Sequence, residues 1–146
     1  MVFDTQLRLA REFSLPVIIH SRGAWQDCFQ MTKDAGIEKA VFHWYSGPIE
    51  ILDKIIENGY LVSCTPALEY SRELRSVIEK TPLERILVET DSPVRYKSQH
   101  PYNAEPKHVL KTLFCLAKLK NISIINAEEI TTSNAKRFFN IKKSSS

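Results

Sequence analysis

At 146 residues the chain is long enough for one domain with a true core, and too short for a complete eight-stranded (β/α) barrel, which takes about 250 residues. Hydrophobic residues make up 43% and charged residues 25%, a balance that argues against disorder, and no apolar run approaches the roughly 20 residues of a membrane span. The formal net charge of +3 is compatible with a polyanionic partner without requiring one, and the three widely spaced cysteines Cys28, Cys64 and Cys115 offer neither a disulfide framework nor a zinc knuckle.

Met1 to Gln6 lack the charged-then-apolar design of a secretory signal, so a cytoplasmic or nuclear setting is expected. The first element is an amphipathic helix from Asp4 to Phe13, with Leu7 and Ala10 on one face and Arg8, Arg11 and Glu12 between them. Ser14-Leu15-Pro16 breaks it. Val17-Ile18-Ile19 is a β-branched run, apolar on both sides as in a parallel strand covered by helices, and it ends at His20-Ser21-Arg22. Helical spacing resumes through Trp25, Cys28, Phe29 and Met31-Thr32 and stops at Ala35-Gly36. Ala40-Val41-Phe42 is then a strand ending at His43.

Trp44 to Pro48 form a turn into a helix with Ile49, Leu52, Ile55 and Ile56 on one face, closed by Asn58-Gly59, and Tyr60 to Cys64 are a third strand. Thr65-Pro66-Ala67 lead into a shorter helix, roughly Ser71 to Glu79. A fourth strand, Ile86-Leu87-Val88, runs into Glu89-Thr90-Asp91-Ser92-Pro93, where the proline halts it. Alternation sends Leu87, Glu89 and Asp91 to one side. Ser92 to Ala104 read as a long irregular loop and a candidate functional segment. Pro106 opens a helix whose expected buried stripe is Val109, Leu110, Leu113, Phe114 and Ala117. Asn126-x-x-Glu129 resembles a capping box starting a last helix with Ile130, Ala135 and Phe138 inward, and 142–146 read as a frayed tail. Alternating strands and helices predict an α/β domain over 1–141 with a parallel sheet and right-handed crossovers.

Three of the four strands end in a residue able to bind a metal: His20, His43 and Asp91. In a parallel sheet those ends share one rim, so residues distant in sequence converge there. Imidazole with carboxylate suits zinc, manganese or a similar divalent ion, which polarises phosphoryl oxygens.

Six blocks in this order resemble one family. They are Leu15 to Ala24 (LPVIIHSRGA), Phe42 to Gly47 (FHWYSG), Gly59 to Ser63, Ile86 to Pro93 (ILVETDSP), Asn103 to Pro106 and Asn134 to Phe139. The family is the TatD-related deoxyribonucleases within the metal-dependent hydrolase barrels. The resemblance implies that His20, His43 and Asp91 are metal ligands at a usually binuclear site, with Mg, Mn or Zn as cofactor and DNA phosphodiesters as substrate. It also implies a partial TIM-type (β/α) barrel of about four parallel strands with flanking helices. The family's earlier strand with a His-x-His pair and a further strand with a bridging glutamate are not among these residues. The expectation is therefore the C-terminal half of the barrel, with at most one metal, and with homo- or hetero-association to cover open sheet edges and no membrane role. Trp44-Tyr45 stand where the family usually has an apolar or cysteine-aromatic pair.

Asp91 and Glu89 are the candidate catalytic acids; Glu89 is either a substitute ligand or base, or a hydrogen-bonding partner at the strand exit. Arg22 is a candidate phosphate contact, since guanidinium matches phosphate oxygens in pairs, or else the partner of a nearby acid. Ser46 and Gly47 either present backbone N–H groups to a phosphate or cap the following helix. His100 and His108 match no ligand position and read as surface residues. The alternative to a nuclease is a non-catalytic module that binds metal or nucleic acid.

Overall fold

The computed structural model describes residues 2–141; the tail expected at 142–146 lies outside the described residues. Four short strands, β1 (Val17–Ile19), β2 (Ala40–Phe42), β3 (Leu61–Cys64) and β4 (Ile86–Val88), form one sheet in the order β1-β2-β3-β4. Every neighbouring pair is parallel, with Ile18 opposite Val41, Val41 opposite Leu61 and Ser63 opposite Leu87. Helices α1 (Val2–Glu12), α2 (Trp25–Asp34), α3 (Ile49–Glu57), α4 (Arg72–Lys80), α5 (Val109–Lys120) and α6 (Ile124–Phe138) complete the α/β arrangement. Among the described residues no helix is long and apolar enough to cross a membrane.

Helix stops follow local chemistry. Ser14, Gly36, Gly59, Asn121 and Asn140 each take a left-handed φ between 52° and 79° just past a helix. The next amide then reaches back five residues, as in Leu15 to Ala10 and Tyr60 to Ile55, and satisfies a free terminal carbonyl. Helix starts use hydroxyls: Ser71 Oγ accepts from the Leu74 amide and Ser123 Oγ from the Asn126 amide. The capping box expected at Asn126 is thus displaced by one turn, because Ser123 caps first and Asn126 becomes a helical residue.

Strand alternation divides the sheet into two faces. Ile19, Ala40, Phe42, Val62, Cys64 and Ile86 point to the helices and join Leu7, Phe29, Leu52, Ile55, Leu74 and Ile78 in the main core. The other face carries Val41, Leu61 and Leu87, covered by Phe138 and Ala135 near the end of α6. Ile18 on that face is 60% exposed, so β1 is not covered on both sides as its composition suggests. Asn134 fastens α6 to the sheet: its buried side-chain amide donates to the carbonyls of Leu83 at 2.7 Å and Ile86 at 2.9 Å.

Two further expectations change. The buried face of α5 is Thr112, Leu113, Leu116 and Ala117, with Leu110 and Phe114 exposed. The buried threonine donates its hydroxyl to the Glu89 carbonyl at 3.1 Å, so a polar residue holds a place that an apolar count assigns to leucine and phenylalanine. The segment after Asp91 is not wholly irregular, since β5 (Arg95–Tyr96) pairs antiparallel with β6 (Tyr102–Asn103). Tyr96 is fully buried by that hairpin.

Candidate metal and phosphodiester site

The parallel ladder continues past the strands: the His43 amide donates to the Ile19 carbonyl at 2.9 Å and the Glu89 amide to the Cys64 carbonyl at 3.0 Å. Extending the register by one residue sets His20, His43 and Ser63 on one rung of neighbouring strands. Alternation turns all three away from the main core, and Glu89 follows Leu87 on the same face. The strand-end polar residues thus meet on the carboxyl rim.

Their contacts are specific. His43 Nδ1 lies 2.7 Å from Glu89 Oε1, and His43 Nε2 lies 3.6 Å from Asp91 Oδ2. Side-chain exposure rises outward, from 13% for His43 through 27% for Glu89 to 37% for Asp91. The acids therefore approach one imidazole from its two nitrogens. The hydrogen bond to Glu89 raises the His43 pKa above its ordinary value; burial opposes this, and the nearby charges of Glu89 and Asp91 add to it. An ionised carboxylate only accepts, so the proton facing Glu89 sits on Nδ1; in the neutral ring Nε2 then carries the lone pair directed at Asp91.

Surrounding groups hold this arrangement. Ser63 Oγ donates to Glu89 Oε1 and accepts from the Trp44 amide at 2.9 Å. Thr112 anchors the Glu89 carbonyl, and the Tyr96 hydroxyl accepts from the Asp91 amide at 3.0 Å. Burial, set against the hydrogen bonds to Asp91 and Thr65, leaves the Tyr96 hydroxyl above its ordinary pKa. Sequence reasoning missed Ser63 and Tyr96. Ser63 carries a readable signal, being the polar residue of β3 in phase with Leu61 and out of phase with the core-facing Val62 and Cys64. Tyr96 carries none, because only the hairpin brings it under Asp91.

The donor chemistry fits part of a cation shell. Two ligand atoms about 2.1 Å from one ion at ordinary coordination angles lie roughly 3.0–3.4 Å apart, close to the 3.6 Å between His43 Nε2 and Asp91 Oδ2. His20 is exposed, with its ring centroid 5.8 Å from that of His43, and beside it the buried Ser21 hydroxyl has no hydrogen-bond partner. Among the described residues no group of three or more His, Cys, Asp or Glu side chains is arranged to hold a metal ion.

The other sequence candidates fall as follows. Arg22 is exposed and makes no ion pair among the described residues; its guanidinium carbon lies 5.3 Å from the Trp44 ring centroid. Ser46 does not cap α3, whose N-cap is Pro48. Gly47 has a packing reason, since a Cβ there would stand 2.7 Å from the Trp25 ring and 2.8 Å from the Tyr45 hydroxyl. His108 is structural: its Nδ1 accepts from the Glu105 amide at 3.0 Å and its ring meets Tyr102. His100 is exposed.

Comparison with known proteins covers the same span. The profile of the family described as TatD related DNase matches residues 1–140. An uncharacterized metal-dependent hydrolase of Buchnera aphidicola is 35% identical over 95% of this chain and 54% of its own length. The human deoxyribonuclease TATDN3 is 31% identical over 94% of this chain and 50% of its own. The crystal structure of a TatD homolog from Escherichia coli, YJJV, superposes with a TM-score of 0.86 at 26% identity, covering 95% of this chain and 55% of that one. The chain spans about half the length of the relatives it matches.

Proposed function

Because this chain belongs to the TatD-related DNase family, we propose that residues 1–141 supply the C-terminal half of a metal-dependent hydrolase barrel that cleaves DNA phosphodiester bonds. The observation carrying this reading is the meeting of both His43 nitrogens with Glu89 and Asp91 on the carboxyl rim.

The residues that would hold a divalent cation are His43 through Nε2 and Asp91, with the His20 ring centroid 5.8 Å from that of His43. The chemistry such a cation supplies is polarisation of the phosphoryl oxygens and activation of the attacking water at neutral pH. Glu89 keeps the His43 proton on Nδ1 and so leaves Nε2 free to bind. Ser63 and Thr112 fix Glu89, and Tyr96 fixes the Asp91 backbone, so the donors are held before substrate arrives. Arg22 stands within the same rim as the cationic group for a phosphate.

Incubating the protein with end-labelled single- and double-stranded DNA and Mg²⁺, Mn²⁺ or Zn²⁺ tests this directly. Cleavage abolished by His43→Ala and Asp91→Asn is expected. No cleavage in any metal, by the chain alone or joined to the remaining half of a relative, would refute it. The second reading, a module that binds metal or nucleic acid without cleaving, is favoured by the lack of a third convergent donor among the described residues.

A further inference from the structure

Trp44 packs against the main core without being enclosed by it, and the backbone does not favour a tryptophan there. Its neighbour Tyr45 is fully buried and its hydroxyl donates to the Pro48 carbonyl, whereas the Trp44 ring keeps part of its surface in solvent. Trp44 also sits at φ 44°, in the left-handed region where a bulky residue is an outlier. The site itself holds it there. The Trp44 amide bonds Ser63 Oγ, which bonds Glu89, which bonds His43. This chain of contacts turns the backbone so that the indole stands beside the reacting end.

The ring's surroundings are specific as well. Its centroid is 6.5 Å from that of His43, with the two planes near perpendicular at 89°. The fully buried Tyr96 backs it at 5.8 Å. Over it lies Arg22, exposed and without an ion pair among the described residues, at 5.3 Å. A flat indole and a flat guanidinium therefore form a shelf at the edge of the carboxylate and imidazole cluster. Such pairs meet both demands of an unstacked nucleotide: a π-face for the base and a cation for the phosphate. A base inside a duplex is already stacked on its neighbours and offers only its edges in the grooves.

We propose that the Trp44–Arg22 pair is a stacking subsite for one unpaired nucleobase, which positions the adjoining phosphate at the rim. The proposal rests on the DNA-cleaving reading above and names how that site takes hold of its substrate. Trp44 and Arg22 act as positioning residues; neither exchanges a proton or forms a bond in the reaction.

The test separates binding from cleavage. In EDTA, a 15-nucleotide oligothymidylate is titrated into the full chain and into Trp44→Leu, Trp44→Phe, Arg22→Met and Arg22→Lys, with anisotropy of a labelled strand reporting affinity and tryptophan emission reporting contact. The oligonucleotide quenches the wild type. Trp44→Leu loses the quench and roughly tenfold or more in affinity, while Trp44→Phe keeps most of that affinity. Arg22→Met weakens binding and lowers the salt slope by about one, and Arg22→Lys restores the slope without the full affinity. The matching duplex binds more weakly than the single strand and is indifferent to Trp44→Leu.

Three results overturn the proposal: no binding of the single strand, binding without quenching, or equal affinity in Trp44→Leu. Circular dichroism and Tm establish that Trp44→Leu is folded. If it is not, Arg22→Met and Trp44→Phe decide, since unchanged affinity in Arg22→Met also overturns the pair. Cleavage is then assayed with Mn²⁺. Cleavage without stacking removes the subsite and leaves the nuclease reading intact; stacking without cleavage removes the nuclease reading and leaves the subsite.

Discussion

Replacing Ser63 with alanine tests whether the rim is held as one unit. Ser63 is buried, and its hydroxyl makes two bonds: it donates to the Glu89 carboxylate and accepts from the Trp44 amide at 2.9 Å. A bond to a charged group contributes about 1.5–3 kcal/mol and a neutral one about 0.5–1.5 kcal/mol. Glu89 keeps its contact with His43 and is partly open to water, which refills some of the loss, so the lower half of each range applies. The expected cost is about 2–3 kcal/mol, or roughly 8–12 °C in Tm for a chain of this size. Urea unfolding followed by circular dichroism measures it, with the midpoint falling and the m-value unchanged. Glu89→Gln and the double variant complete a cycle, in which a coupling of about 1 kcal/mol or more is expected. A Ser63→Ala cost below about 0.5 kcal/mol with additive double-variant energies would refute the coupled rim.

Asn134→Ala removes two donors from the carbonyls of Leu83 and Ile86 and should cost about 2–4 kcal/mol; equal urea midpoints for variant and wild type would show that α6 is held by packing alone. Gly47→Ala pushes a methyl into the Trp25 ring and the Tyr45 hydroxyl and should cost about 1–3 kcal/mol, with a shift in Trp25 emission; an unchanged Tm and spectrum would mean that the turn yields freely. Burial pushes the phenols of Tyr45, Tyr60, Tyr96 and Tyr102 upward, Tyr102 to about 12, whereas an unfolded tyrosine ionises near 10. Above about pH 10 the unfolded state gives up protons that the folded state keeps, so stability is complete below that pH and falls from there through about 12. Tyrosinate absorbance from these four of the five tyrosines should rise together with the loss of far-UV dichroism; a rise near pH 10 worth more than one tyrosine with the dichroism intact contradicts the burial assigned to these rings.

The strands and their shared rim were legible because short β-branched runs ending in His, His and Asp require only a period-two pattern and a parallel sheet to be placed. What lay outside the pattern was set by tertiary contacts. The pairing of Glu89 with Asp91 was expected from strand alternation, yet β4 ends at Val88. Asp91 reaches His43 from the turn that follows, in which the Val94 amide bonds the Asp91 carbonyl at 2.8 Å. Tyr96 and Tyr102 lie in strands of two residues each, too short for any periodicity to register. On α5 the hydrophobic count favoured Leu110 and Phe114, but the helix turns Thr112 inward because the Glu89 carbonyl needs a donor. At α6 two capping residues compete three positions apart, and Ser123, the earlier one, gains an extra turn.

The two faces of the sheet explain how a four-stranded unit keeps a polar site without losing its core. Consecutive residues of β4 and its extension show the division. Ile86 and Val88 face the helices and pack in the main core, while Leu87 faces the other way under Phe138 and Glu89, two residues on, meets Ser63 and His43. The polar cluster thus occupies only the carboxyl end of the face that carries the smaller apolar cluster. Substitutions at Phe42, Val62 or Ile86 remove apolar area from a packed interior and should cost stability with the rim geometry intact. Substitutions at His43, Asp91 or Glu89 touch groups that keep 13–37% of their side-chain surface in solvent, where removing a buried methylene's worth of packing is not at issue. Ser63 is where the two regimes join, being buried like a core residue and bonded like a site residue. That double role makes its substitution the sharpest probe of whether this half of the sheet organises its own chemistry.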